Sequence, residues 1–220
     1  MNRIRYNTSY RTSLKDKILD SAIALFHERG VKAVKMDDIA NCLSISKRTL
    51  YEIYDNKEDL LFECVKTSFE HSEKELHESV ENADNVMDIL LRIYRLKMNL
   101  LRKTHPSFYC ELEKYPKILE YFEKQDGKRR AQQMDFIKRG IREGYFRNDV
   151  NYDLILDLFD VSNRYIISNY NSLNYSMEQL SYNLVFVFLR GFCTLRGVEI
   201  LDKVLDEDIY KPGISPKEEK

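Results

Sequence analysis

Between residues 36 and 60 the sequence MDDIANCLSISKRTLYEIYDNKEDL sets its apolar side chains at helical spacing in two runs, each too short to stand alone in water. Ile39, Ala40 and Leu43 mark one face of a first short helix, Leu50 and Tyr54 lie four apart on a second, and Ile45 falls in the polar turn between them. Such a pair must borrow a third helix to close a core. The preceding segment supplies it. Ile18, Ala22, Leu25 and Phe26 repeat at i, i+4, i+7 and i+8, and Gly30 stands where a C-terminal glycine stops a helix. The pattern predicts a three-helix module. Ser46 suits the cap of its last helix, because a serine hydroxyl accepts from a backbone N–H two or three residues on. The start of that helix gathers partial positive charge and open N–H groups, with Lys47, Arg48 and Thr49 leading. A phosphate can dock there without a dedicated side chain.

The order and spacing of these residues resemble the TetR family of bacterial transcription regulators. That family shows a first helix of the form Ile-Leu-x-Ala-Ala-x-x-Leu-Phe ending at Gly, then Asp-Ile-Ala, then Ser-x-x-Thr-Leu-Tyr, then an aromatic followed by x-x-Lys-Glu-x-Leu. The matching positions are Ile18, Leu19, Ala22, Leu25, Phe26, Gly30, Asp38, Ile39, Ala40, Ser46, Thr49, Leu50, Tyr51, Tyr54, Lys57, Glu58 and Leu60. Joint agreement over such a span is far more specific than a lone helix-turn-helix pattern.

The resemblance implies a sequence-specific DNA-binding regulator, in the family's usual mode a repressor released by a small molecule, and no enzyme. Arg48 is the expected base reader, since a guanidinium donates two bonds to O6 and N7 of guanine; Lys47 reads less specifically. Lys35, Thr49, Tyr51 and Lys57, with the Ser46 cap, are assigned to the phosphate backbone, which fixes the docking pose without encoding sequence. Three positions depart from the family. Lys35 stands where Thr is usual and cannot accept a capping bond; Ser44 replaces the turn glycine, so a left-handed backbone there costs strain; Ile53 cannot donate to a phosphate.

A net charge of −1 is unexpected for a DNA binder until it is divided along the chain. Through Lys57 eleven Lys and Arg oppose seven Asp and Glu, giving +4 and leaving −5 for the remainder. The basic end faces a polyanion. Arg3, Arg5 and Arg11 belong to a flexible basic arm expected over 1–12. No stretch approaches the ~18 apolar residues of a membrane span, and the N-terminus lacks the apolar core of a signal peptide, so a cytoplasmic location is expected. Cys42, Cys64, Cys110 and Cys193 show no metal-ligand spacing and read as small core residues. His27, His71, His77 and His105 form no cluster, and no Gly-rich phosphate loop is present. No metal and no cofactor are expected. The competing reading is a helical interaction scaffold of the same fold without operator binding.

Domain boundaries are expected at 13–56 for the helix-turn-helix domain, 57–206 for a helical effector-binding and dimerisation domain, and 207–220 for a disordered tail. The second domain keeps helical periodicity throughout, so the fold class is all-α. Asn56 caps a long fourth helix towards Val80; Val86 to Leu101 repeats an apolar face; Pro106 and Pro116 each open a helix, the second reaching about Gly140. The stretch from Glu143 to Asp149 resembles the loop before the last two helices of TetR-type regulators, expected here at Tyr152–Tyr170 and Met177–Val204. In the family such a pair meets its copy in a four-helix interface, which implies a homodimer on a palindromic operator in double-stranded DNA, with Leu158, Leu184, Phe188, Gly191, Phe192 and Leu195 at the contact. Gly191 and Gly197 suggest close helix-on-helix approach. The family's small-molecule pocket carries over as candidates only: Tyr94, Met98, Tyr109, Tyr121, Phe122, Phe136, Phe159, Asn163 and Tyr165.

Overall fold

The computed structural model describes residues 2–81 and 83–207. Among these residues it is all-α. In chain order the helices are α1 (Asn2–Arg29), α2 (Met36–Cys42), α3 (Lys47–Tyr51), α4 (Lys57–Glu81), α5 (Val86–Lys103), α6 (Ser107–Leu112), α7 (Pro116–Arg142), α8 (Tyr152–Asn169), α9 (Met177–Phe192) and α10 (Leu195–Glu207), with a 3-10 turn at Tyr170–Ser172. The only extended pairing among the described residues is a bridge between Phe146 and Cys193. Among the described residues no helix is long and apolar enough to cross a membrane. Contacts divide the chain into two compact units, one running to Glu75 and including Lys103–Tyr121, the other comprising Leu76–Arg102 and the chain from Phe122. The first is larger than the 13–56 domain expected from sequence, because α4 as far as Glu75, α6 and the start of α7 belong to it.

In the first unit the anticipated apolar stripe is the core: Ile18, Ala22, Phe26, Ile39, Leu50 and Leu60 are all buried. Gly30 ends α1 at φ +80°, its N–H bonded to the Phe26 carbonyl at 2.9 Å, as a C-terminal glycine does. Sequence reasoning missed that α6 docks on this corner. The His105 N–H donates to the His27 carbonyl, the His27 ring meets Phe108 edge-on at 4.6 Å, and the Glu111 carboxylate accepts from the Lys32 N–H at 2.7 Å. A side chain on Gly30 would put its Cβ 2.2 Å from the Ser107 hydroxyl. His27 is therefore a packing residue, while His105 is exposed and ties α6 to α1 through its backbone N–H; His71 and His77 pair with Glu75 and Glu81 on the outside of α4.

The expected arm is also corrected. Nothing between Asn2 and Arg29 is Gly or Pro, so no residue interrupts the backbone hydrogen bonding, and α1 starts at Asn2. The side chains of residues 1–11 lie outside the described set, as does the tail from 208 onwards. Asn56 caps α4 as anticipated, its Oδ1 accepting from the Asp59 N–H at 2.9 Å.

The second unit is centred on Val86, Met87, Leu91, Tyr94, Met98, Ile137, Phe146, Phe186 and Leu189. The single last helix expected over Met177–Val204 is two. Cys193 turns extended at ψ 148°, the Arg147 N–H bonds the Phe192 carbonyl and the Thr194 N–H bonds the Tyr145 carbonyl, each at 2.9 Å. The Thr194 hydroxyl donates to the Gly144 carbonyl at 2.8 Å and accepts from the Gly197 N–H at 3.3 Å, which starts α10 with a threonine cap. Gly197 is needed because a Cβ there would stand 2.6 Å from the Tyr145 carbonyl oxygen. Its close approach is thus to a loop, and Gly191 has open space around it in the subunit. Of the cysteines, Cys64 and Cys193 are buried, their thiols pushed up to about 12 and about 11, mainly by desolvation. Cys42 is exposed on α2 and is not a core residue.

Candidate nucleic-acid interface

Helix α3 is fixed from below and open above. Leu50 is completely buried, and the Ser46 hydroxyl accepts from the Thr49 N–H at 3.0 Å and shares a hydrogen bond with the Thr49 hydroxyl at 2.8 Å. These two anchors leave Lys47 and Arg48 outside: the side chain of Arg48 is 89% exposed and that of Lys47 61%. The Lys47 ammonium lies 2.8 and 3.0 Å from the two oxygens of Asp37 on α2 and 6.0 Å from the centre of the exposed Tyr51 ring. The hydrogen bond that Lys47 donates to Asp37 raises the pKa of its ammonium. Arg48 donates through Nε to Glu52 at 3.0 Å.

The turn into α3 carries the strain that its sequence foretold. Ser44 sits at φ +53°, the only non-glycine residue with positive φ among those described. Lys35 precedes α2 in extended conformation without a side-chain cap bond; the Asp38 carboxylate accepts from the Lys35 N–H at 2.8 Å, half of a reciprocal box whose other half an ammonium cannot make. The Lys35 side chain is exposed. Lys57 departs from the surface role assigned to it. Its ammonium donates to the Val34 carbonyl, and burial lowers its pKa. Asp37 and Glu52 are the residues that sequence reasoning missed at this surface. Arg48 and Glu52 are one helical turn apart and could have been paired on spacing alone, whereas the Lys47–Asp37 pair crosses the turn between two helices.

The profile of bacterial regulatory proteins of the tetR family matches residues 18–64, the segment in which this capped, solvent-facing α3 is held on its buried core. Over that segment the chain is similar to the N-terminal domain of TetR-family regulators. Its sequence is 24% identical over 148 residues to the transcriptional repressor KstR2 of Mycobacterium tuberculosis, covering 65% of this chain and 74% of that one. It is 43% identical over 58 residues to IcaR, the negative transcriptional regulator of the biofilm operon icaADBC in Staphylococcus epidermidis, covering 26% and 31%. The fold is shared with a regulator from Saccharomonospora viridis crystallised with choline, at a TM-score of 0.67 and 17% identity over 83% of this chain and 99% of the other. These similar proteins support a DNA-binding transcriptional regulator of the TetR type, and repressors are among them.

The residues assigned to a TetR-type effector pocket are divided between the two units. Tyr109 and Tyr121 pack within the first unit, Tyr109 against Phe108 and Tyr121 between Phe62 and Phe69. Tyr94 and Met98 belong to the core of the second, with Phe136 packed on it. Phe122 is half-buried, Phe159 stacks edge-on with Phe188 at 5.5 Å, and Asn163 and Tyr165 are exposed. No group of three or more His, Cys, Asp or Glu able to hold a metal occurs among the described residues.

The residues expected at a TetR-type dimer contact also divide. Phe192 packs inside its own subunit against Phe146 and Tyr152, and Leu184 and Phe188 are half-buried. Leu158 and Leu195 are exposed. Leu158 belongs to a row on α8 with Leu154, Val161 and Tyr165, all exposed and spaced on one helical face. On α9 Val187 is 69% exposed beside the uncovered Gly191. Tyr165 thus falls on the apolar row, not in a cavity.

Proposed function

We propose that the protein is a homodimeric repressor that reads a palindromic operator in the major groove with the start of α3 and leaves it when a small molecule binds in the second unit. The observation that carries this reading is the pairing of a fully buried Leu50 with an exposed Lys47 and Arg48 one helical turn apart or less. Arg48 reads a base, because only its Nε is engaged among the described residues and the outer guanidinium nitrogens can meet O6 and N7 of a guanine. Lys35, Thr49 and Tyr51 hold phosphates, with Lys57 in that role only after releasing Val34. The exposed row on α8 and the exposed Val187 on α9 support a two-fold partner, since apolar surface of this kind marks interaction sites.

Recovery of bound duplexes from a randomised pool tests the proposal. The expected product is an inverted repeat with half-sites about one helical turn, or a multiple of it, apart. Arg48→Ala lowers affinity for that site by about 1–3 kcal/mol and relaxes one base position in each half; an unchanged site profile overturns its base-reading role. Screening metabolites against the protein bound to the recovered site then tests release. A pool that yields no enriched sequence overturns operator binding and leaves the scaffold reading.

A further inference from the structure

Both cations at the head of α3 enter solution already partnered. Lys47 is held by both oxygens of Asp37, and Arg48 by Glu52. Solvent-exposed pairs of this kind contribute little to folding, so stability does not account for them. Their effect on binding is larger, because they cancel the local charge at the very surface that must approach a polyanion. Through Lys57 the chain carries +4, yet α3 presents its two cations matched by two carboxylates, and the ammonium of Lys57 is turned to the Val34 carbonyl.

We infer that Asp37 and Glu52 are specificity-determining residues: paired with Lys47 and Arg48 in the free protein, they suppress attachment to DNA of any sequence, so that a base edge offered to Arg48 is what displaces them. The inference rests on the reading of α3 given above. Non-specific attachment draws its free energy from counterions released as phosphates are neutralised. When Lys47 swings from Asp37 to a phosphate, the stranded carboxylate takes up a cation, and the net release falls. A base-specific contact repays that loss with directed hydrogen bonds, whereas mixed sequence does not. Discrimination by a repulsive group set against the wrong partner is a recognised route to specificity.

The test compares the full-length protein with Asp37→Asn and Glu52→Gln, near-isosteric changes that remove one charge each. Two duplexes serve as probes: a site recovered from a randomised pool, and the same duplex with its sequence scrambled. Each variant is expected to bind the scrambled duplex roughly threefold more tightly, the increment associated with one phosphate contact over a moderate salt range, and to steepen the salt dependence by up to about one ion. The ratio of selected to scrambled affinity falls by a similar factor. In a Lys47→Gln background the Asp37→Asn effect shrinks, which a purely structural role of Asp37 would not produce. Unchanged scrambled-duplex affinity and salt slope in both variants overturn the inference while leaving operator reading intact. Failure of the unaltered protein to prefer its selected site is a different outcome and removes the operator reading itself.

Discussion

At the level of single residues, two positions in the first unit carry features that a sequence shows only in part. Tyr54 is legible as the aromatic that closes the module, and it is buried. Its hydroxyl, however, has no hydrogen-bond partner among the described residues, and burial is the leading cause that raises the phenol pKa. A buried donor left unmade costs about 1–3 kcal/mol, and removing it is neutral or favourable. Tyr54→Phe is therefore expected to leave stability unchanged or to raise it by about 1 kcal/mol, read from the denaturant midpoint; a loss of that size would mean that the hydroxyl is bonded. Ser44 is the opposite case. The glycine missing from the turn announces strain in the sequence, and φ +53° shows it. Ser44→Gly is expected to be near neutral, since relief of the left-handed backbone is offset by unfolded-chain entropy. Ser44→Val adds β-branching to an unfavourable region and costs about 1–2 kcal/mol in thermal unfolding.

Among the helices, local signals placed the starts better than the contacts. Ser46, Asn56 and Asn151 each accept from the N–H three residues on, because capping is chemistry within one turn of chain. The division of the last helix at Cys193 was hidden, since an apolar stripe continues across it. The decisive bonds come from Tyr145 and Arg147, far away in sequence. The docking of α6 onto the end of α1 was equally hidden. It has a titratable consequence, because burial lowers the pKa of His27. A free histidine titrates near ~6.5, so below that pH the unfolded chain takes up a proton that the native site resists, and stability falls with acidification. Carboxyls held low by hydrogen bonds, Asp59 by Lys117 and Asp149 by Arg147, lose their contribution in a more acid range. Between about pH 7.5 and about pH 5.5 the melting temperature is expected to fall, and His27→Gln is expected to flatten that fall. An identical slope in the variant would place the sensitivity elsewhere.

For the molecule as a whole, a monomer's needs leave one set of side chains unexplained. Leu154, Leu158, Val161 and Tyr165 on α8 and Val187 on α9 are exposed although each is large and apolar, and Gly191 beside them is open. A subunit's own core does not use them, and contiguous apolar surface in water favours association. Sequence alone could mark the last apolar stretch from Met177 as a candidate contact, but it could not separate Phe192, which serves its own core, from Val187, which does not. Val187 is consequently the clean site for a test. Val187→Asp removes no buried contact of the subunit, so helical content and unfolding temperature should stay near those of the parent protein. The mass measured by light scattering is expected to fall to that of one chain of 26.3 kDa, since a carboxylate buried against an apolar partner without a counter-charge is strongly disfavoured. Operator affinity should fall with it, because a single head holds one half-site and loses the gain of simultaneous engagement. A Val187→Asp protein that stays dimeric would move the two-fold contact off α9; one that turns monomeric yet binds the full operator undiminished would show that the heads need no partner.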